Sequence, residues 1–517
     1  MTNGCLITQP CENLFYPLHV AAKNAANKSL EKILTLGEEL GYQRDHMLKY
    51  TDRERNTPLH SAVNSGDFEA VNICLKFGAA CDARQEDKST AFHMACSQGT
   101  LSIVQLMLEY HTSNPDKAES DENILFSRDI LDMSPLHRAA MFDHPEVVQY
   151  LIDSGSELDA LDIDRRSPLL LAALRGGKRS LKLLLNAGAN ISIKDSQKRN
   201  ILHFLVTFGK PMTEELTRIC TTVQGKKLLD EKDTSGCTPL HLACKLGNLK
   251  LLESLVQMGA NITVRNDEDR SPLHFAARYG RINTVGKLLE NPKGFHILNE
   301  IDGMGMTPLH IASKNGHVKV VQLLMYKGAL LHKDFMGRTP LHLAAEQGYT
   351  TTMKLLLSLH GNLLNQTDKK GNYPIHYAAF ANRPESIDML LTANCLYEEN
   401  DDQLTPMDIC IEKRHAQSAM TMIQHSRWID ILDYPSYPYM NVALGLIEHL
   451  PEVHNIVLNQ CVTKADMDPG NIDYWEKFSF HHMQAGHREI RQAQKLASKN
   501  LKHDLKPLLA LNTMVRC

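Results

Sequence analysis

The tetrapeptide Thr57-Pro58-Leu59-His60 returns unchanged at Thr238–His241, Thr307–His310 and Thr339–His342. Close relatives begin at Tyr16, Ser134 and Ser271, and looser ones at Thr90, Ser167, Asn200, Tyr373 and Thr405. That makes twelve units, with fourth positions at 19, 60, 93, 137, 170, 203, 241, 274, 310, 342, 376 and 408. Most gaps lie between 32 and 36 residues. A fixed period of this size constrains the fold more than length does. Copies of one supersecondary unit stack, and each packs on its neighbours. The 517 residues therefore need not divide into the roughly three or four globular domains that length alone suggests.

Each position in the unit has a physical role. Thr or Ser at the first place caps a helix by accepting a backbone N–H. Pro follows at the first helical position, where its missing N–H costs nothing. Leu enters the core between units, and His is placed to bond the next loop and tie neighbours together. A small pair such as Ala344-Ala345 lets helices approach closely. Gly66, Gly99, Gly247, Gly280, Gly316 and Gly348 end the first helix where a left-handed residue is wanted. A second, amphipathic helix follows, as at Val318 to Tyr326 with Val320, Val321, Leu323 and Leu324 apolar. It ends on Gly-Ala at Gly188, Gly259 and Gly328, and Asp-x-x-Gly then builds a hairpin tip at Asp233–Gly236, Asp334–Gly337 and Asp368–Gly371. Two helices and a hairpin tip at a period near 33 residues describe the ankyrin repeat. The expected fold class is all-α: an ankyrin-repeat solenoid of about twelve helix-turn-helix repeats with hairpin tips, then a small helical module. Such a stack curves and offers a concave face.

The array is expected over residues 14–427, after a tail of residues 1–13. Three gaps exceed the period and place insertions near 37–47, 111–129 and 210–229. The second is acidic, with Asp116, Glu119, Asp121 and Glu122, and reads as a surface loop. Beyond Arg427 the motif stops. Residues 428–517 read as a different, helical module broken by Pro435 and Pro438. The units at Thr90 and Asn200 lack the proline and are expected to be weaker links.

Charge and motif content narrow the function. With 56 basic and 60 acidic residues, the whole chain has no pull toward nucleic acid, which is not an expected partner. No run approaches the ~18 apolar residues of a membrane span, and Met1 to Cys11 lacks the blocks of a secretory signal. The 12 cysteines form no C-x-x-C pair, as expected of a chain in a reducing, cytoplasmic setting. Ala172 stands where a phosphate loop ending in Gly176-Gly177-Lys178 would need its first glycine. H-E-x-x-H and a nucleophile elbow are absent. No catalytic residue and no cofactor are therefore expected. Ten of the 25 histidines are the fourth residue of the motif, and the architecture accounts for them. His481, His482 and His487 lack a fourth ligand. Asp466, Asp468, Asp473 and Glu476 miss the calcium-loop spacing, so no metal site is expected.

Two features remain as candidate sites. Cys74, Cys96, Cys244 and Cys410 take small core positions and read as inert. Cys81 and Cys395 follow second helices as partly packed residues, and Cys237 sits in a hairpin tip, where exposure is expected. Cys461 lies outside the array, after Ile456–Gln460 and near Lys464, and is the candidate reactive thiol. Arg488, Arg491, Lys495, Lys499, Lys502 and Lys506 are spaced 3, 4, 4, 3 and 4, which puts six cations on one helix face. A solvated face is one reading of that stripe. A docking strip for anionic lipid headgroups or an inositol polyphosphate is the other.

Leu36-Gly37-Glu38-Glu39-Leu40-Gly41-Tyr42 and Tyr279-Gly280-Arg281-Ile282-Asn283-Thr284 lie within the array. After it come Gly445–Glu452, Asp473-Tyr474-Trp475 and Pro507–Val515. Together these stretches resemble the cytoplasmic N-terminal part of an ankyrin-type transient receptor potential (TRPA) cation channel, and the last three resemble the linker to its first membrane helix. The resemblance covers essentially the whole chain. It implies a subunit of a tetrameric, calcium-permeable, non-selective cation channel that responds to chemical or thermal stimuli. The array would hang on the cytoplasmic side of the plasma membrane, with the linker coupling it to the pore. The resemblance also implies electrophile sensing by linker cysteines. Aligned without gaps, one of these falls on Cys461 and two others on Asn441 and Ala485. No segment can span a bilayer, so the chain is expected to be truncated before the pore, with an array that begins some repeats late. The alternative is a free-standing cytosolic ankyrin adaptor that binds a partner protein on its concave face.

Overall fold

The computed structural model describes residues 9–10, 15–114, 123–439, 441–464 and 476–478. The chain divides into two compact units, Met1–Asp267 and Glu268–Cys517. In the first, the motif helices are Pro17–Lys23, Pro58–Ser65, Ala91–Gln98, Pro135–Met141, Pro168–Arg175, Ile201–Thr207 and Pro239–Leu246. In the second they are Pro272–Arg278, Pro308–Lys314, Pro340–Gln347, Pro374–Phe380 and Pro406–Glu412. Each is followed by a second helix, such as Phe68–Lys76 or Val318–Tyr326. Within each unit, first helices pack on first helices and second on second. The motif leucines Leu59, Leu136, Leu240, Leu273, Leu309 and Leu341 are fully buried at these interfaces, as are the small pairs Ala139-Ala140, Ala276-Ala277 and Ala344-Ala345. A single helix pair could not bury these residues, so the core exists only because neighbours share it.

The described parts of the insertions form helices and a turn, while the acidic stretch with Asp116, Glu119, Asp121 and Glu122 lies outside the described residues. Near 37–47 the second helix runs on to Glu39, and a short helix, Arg44–Leu48, follows. Gly37 leaves room for the Met47 thioether, which a Cβ would strike. Near 111–129 the helix Leu101–Ser113 is long, and a turn at Ile124–Phe126 buries Ile124. Near 210–229 two helices, Glu214–Cys220 and Val223–Leu229, replace one. They cross at Gly225, where any side chain would collide with the Ile219 carbonyl.

Past the twelfth repeat the chain forms Trp428–Asp433, Val442–His449 and Pro451–Gln460. Val442–His449 packs on Pro406–Glu412 and Pro451–Gln460 on Ala416–Gln424, the placement a thirteenth helix pair would take. Gly445 lets the Tyr439 ring lie directly on this pair. Strand β1 (Val462–Lys464) then pairs antiparallel with β2 (Glu476–Phe478), Val462 opposite Phe478. Residues 428–517, expected to be helical, thus include a small ladder. The β-branched Val462 and Thr463 suit it.

Candidate functional site

The site of an array is the set of groups that tie its repeats and the surface those ties leave over. In the ties, Thr339 N–H donates to the His342 Nδ1 at 3.1 Å, and the Thr339 hydroxyl lies 2.8 Å from the same nitrogen. Thr57, Thr90, Ser134, Thr238, Ser271 and Thr307 make the same pair of contacts with their histidines. A nitrogen that accepts a backbone N–H carries no proton, so the ring is neutral with its proton on Nε2. In eight repeats Nε2 meets the carbonyl preceding the next motif, whereas the buried His60 Nε2 has no hydrogen-bond partner. In the first unit His19 reaches Asn56, His93 reaches Met133, His137 reaches Arg166 and His203 reaches Cys237. In the second unit His274 reaches Met306, His310 reaches Arg338, His342 reaches Asn372 and His376 reaches Leu404. Burial pushes His60, His93, His137, His310, His342 and His376 down to about 4, which keeps the tautomer at neutral pH.

The hairpin tips share a second scheme. The first residue's carboxylate accepts two backbone N–H groups, as Asp334 does from Met336 and Arg338 and Asp162 does from Asp164 and Arg166. The fourth residue is left-handed whether or not it is glycine: Arg55, Lys88, Asp132, Arg165, Lys198 and Gln403 match Gly236, Gly305, Gly337 and Gly371. Arg166, Arg199 and Arg338 brace their tips by salt bridges to Asp162, Asp195 and Asp334. Most tip side chains at the second and third places lie at the surface; among them Asp164 pairs with Arg166 and Glu268 with Arg270.

One tie is built differently. At the twelfth repeat the fourth residue is Asp408. Its Oδ2 accepts from the Thr405 N–H and hydroxyl, and its Oδ1 accepts from the Ser436 hydroxyl at 2.6 Å. Asp408 and Ser436 are both buried. Burial raises the Asp408 carboxyl above its usual value, against the pull of those hydrogen bonds. Tyr434 stacks edge-on to the buried Tyr397 at 5.6 Å in the same junction. Sequence reading took Thr405–Asp408 as a weak copy of the motif and missed Ser436. The carboxylate in place of the ring was the available signal.

The expected cysteine core is in place: Cys74, Cys96, Cys244 and Cys410 are fully buried, and burial raises each thiol. Cys237 is buried, which corrects the expectation of exposure. As the residue after the tip glycine it turns inward, its Sγ 3.7 Å from the Asn266 amide. Cys461 ends Pro451–Gln460, its N–H bonded to the Val457 and Leu458 carbonyls. It is only 3% exposed, and burial raises its thiol, the reverse of what activation needs. Asn441, the second linker position, caps Val442–His449 through the Ala443 N–H. Ala485, the cations Arg488 to Lys506 and the histidines 481, 482 and 487 lie outside the described residues. Among the described residues no cluster could hold a metal, and no helix is long and apolar enough to cross a membrane. An open, polar cavity of about 780 Å³ in the first unit is lined by Phe15, Lys23, Asp52, Glu54, His60 and Gln85. It lacks the apolar walls of a small-molecule pocket.

A family model described as ankyrin repeats, three copies, matches residues 18–121, 118–195, 136–223, 169–266, 202–300 and 273–368. The chain belongs to the ankyrin-repeat family. The chain is 43% identical, over 511 residues, to transient receptor potential cation channel subfamily A member 1 of Drosophila melanogaster. That match covers 98% of this chain and 42% of the fly protein. The human protein of the same name is 35% identical over 504 residues, 97% of this chain and 44% of the relative. Human inversin is 27% identical over 235 residues, 45% of this chain. The chain therefore spans less than half the length of the channel relatives, and its repeats are those of a TRPA channel's ankyrin region.

Proposed function

We propose that the ankyrin array and the module after it form the cytoplasmic sensing and coupling region of a TRPA-like, calcium-permeable, non-selective cation channel that responds to chemical or thermal stimuli. The observation that carries this reading is the extent of the similarity. An alignment over 511 of 517 residues runs through the module after residue 427, whereas the inversin match covers less than half the chain. Ankyrin repeats alone recur in many proteins, but a shared closing module is a feature of the whole arrangement. In this reading the tied repeats transmit displacement as a stack, and the helix pair Val442–Gln460 receives it at the Asp408–Ser436 junction.

The partners in this reading are other subunits of a tetrameric channel. Co-expression of the chain with a full-length TRPA channel, followed by size-exclusion chromatography and pull-down, tests it. Co-assembly is expected. A monomer that never joins the channel would favour an adaptor that binds a protein on its concave face. Cys461 enters as an electrophile sensor that reacts only when the turn into β1 opens. Mass spectrometry after brief iodoacetamide treatment should then label it faster than Cys96 or Cys244, and equal labelling removes it from the mechanism. The cations Arg488, Arg491, Lys495, Lys499, Lys502 and Lys506 are proposed to meet anionic lipid or an inositol polyphosphate. Reversing three of them should abolish binding to phosphatidylserine vesicles and to inositol hexakisphosphate.

A further inference from the structure

In the second unit the hairpin tips form an ordered strip. Each tip gives one backbone N–H to the tip before it: Gly303 to the Glu268 carbonyl at 2.9 Å, Phe335 to Met304 at 3.1 Å, Lys369 to Met336 at 2.9 Å and Asp401 to Lys370 at 3.0 Å. These bonds engage the backbone alone. Along the strip the side chains read Glu268-Asp269, Met304, Phe335-Met336, Lys369-Lys370 and Asp401-Asp402. Met304, Phe335 and Met336 are 51%, 56% and 48% exposed, and the backbone bonds place them side by side. The Phe335 ring lies against Gly305, where a Cβ would collide with it, so it is held in place before any partner arrives. Rigid aromatic and adaptable thioether side chains in one contiguous patch are the composition of a contact surface.

Charge selects what fits. Nearby cations are engaged: Arg270 with Asp302 and Glu268, Arg338 with Asp334, and Lys333 with the Thr367 carbonyl. Lys369 and Lys370 stand exposed beside the apolar patch. One tip further on lie Asp401 and Asp402, and at the other end Glu268 and Asp269, all exposed. A flat anionic bilayer would meet these carboxylates as well as the lysines and be repelled by them. A narrow chain would not. We propose that the strip docks an extended protein segment that carries two or three apolar side chains followed by an acidic pair. The apolar residues cover Met304, Phe335 and Met336, and the acidic pair meets Lys369 and Lys370. This inference does not depend on the channel reading.

The test uses the whole chain and three labelled synthetic peptides of about a dozen residues, the length of an extended recognition segment. One alternates leucine and phenylalanine with serine and ends in two glutamates. The second ends in two lysines. The third keeps the glutamates and replaces the apolar residues with serine. In fluorescence anisotropy the first should bind at least about tenfold more tightly than the others, roughly 1.4 kcal/mol. Phe335→Ser with Met336→Ser should weaken it by about tenfold or more. Lys369→Glu with Lys370→Glu should do the same and turn the preference toward the lysine peptide. Unchanged melting by circular dichroism separates these effects from misfolding, because the substituted side chains are exposed. Failure of the first peptide to saturate up to about 1 mM would overturn the proposal. So would binding indifferent to both double variants. Lysine-dependent binding to phosphatidylserine vesicles without peptide binding would overturn it in favour of lipid.

Discussion

At His342 a ring nitrogen gives its proton to the Asn372 carbonyl at 3.0 Å, and at Asp408 a carboxylate takes one from the Ser436 hydroxyl at 2.6 Å. The two side chains hold the same place in their repeats and do the same local job, since each accepts the N–H of its own threonine. They differ in what faces them. Between repeats the next hairpin offers a carbonyl, so the tie must donate. After the twelfth repeat the chain departs from the hairpin pattern at Tyr434-Pro435-Ser436, the neighbour is a hydroxyl, and an acceptor serves. What the interface requires is complementarity, and its polarity is set by the neighbour.

The largest test of this contrast is acid. His60, His93, His137, His310, His342 and His376 hold pKa values near 4 against the usual 6.5, so between those values the unfolded chain binds protons that the fold refuses. Stability is fully present above about pH 6.5, falls as pH drops toward 4 and levels below that. The loss is on the order of a few kcal/mol per histidine. For His342 the facing charges of Asp368 and Lys333 oppose each other. Asp408 runs the other way: its value is raised above 3.8, so stability is gained as pH falls through the raised value. Urea titrations monitored by circular dichroism from pH 7.5 to 4.5 should show net loss. The Asp408→Asn chain should lose more over that range, because its counter-term is gone.

Next in size is the tie itself. His342→Ala leaves the Asn372 carbonyl and the Thr339 N–H without their buried partner and should cost about 2 to 4 kcal/mol in the same titration. A change below about 0.5 kcal/mol would mean that packing alone holds these repeats.

Ser436→Ala should cost about 1 to 3 kcal/mol at neutral pH, because a buried carboxylate loses a donor. The cost should shrink on acidification, as a protonated Asp408 needs that donor less. A cost independent of pH would break the comparison, since it would mean Asp408 is neutral throughout.

The smallest effect lies at the tips. Lys198 holds φ 58° at a place where other tips carry glycine. Lys198→Gly should gain about 0.5 to 1 kcal/mol, while Gly337→Ala, at φ 83°, should lose at least as much.

These positions also mark what the sequence could and could not convey. The motif was legible because each of its residues answers a local demand: a cap, a missing N–H, a buried leucine, a ring donor. The tips were legible only where glycine marked the left-handed residue. Arg55 and Arg165 adopt the same backbone, held by the Asp52 and Asp162 carboxylates at the tip's first place, and Lys88 does so in a tip where Asp87 takes the Ser89 N–H instead. The units at Thr90 and Asn200, expected to be weak, keep their caps: Thr90 accepts the His93 N–H, and Asn200 accepts those of Leu202 and His203. The closing helix pair was not legible as a continuation of the array, because Asn441-Val442-Ala443-Leu444 has neither proline nor histidine. Its stacking is decided by apolar packing against the twelfth repeat, which no short motif encodes.

Each histidine tie spans between 28 and 40 residues of sequence, one period and no more. A bond scheme closed over one period makes copy number an adjustable variable. A repeat gained or lost within a run brings or removes its own donor and acceptor and leaves the others matched. Under tension applied along such a run, the links would part singly, in order of their strength, so the run could yield in steps while the repeats themselves stay folded.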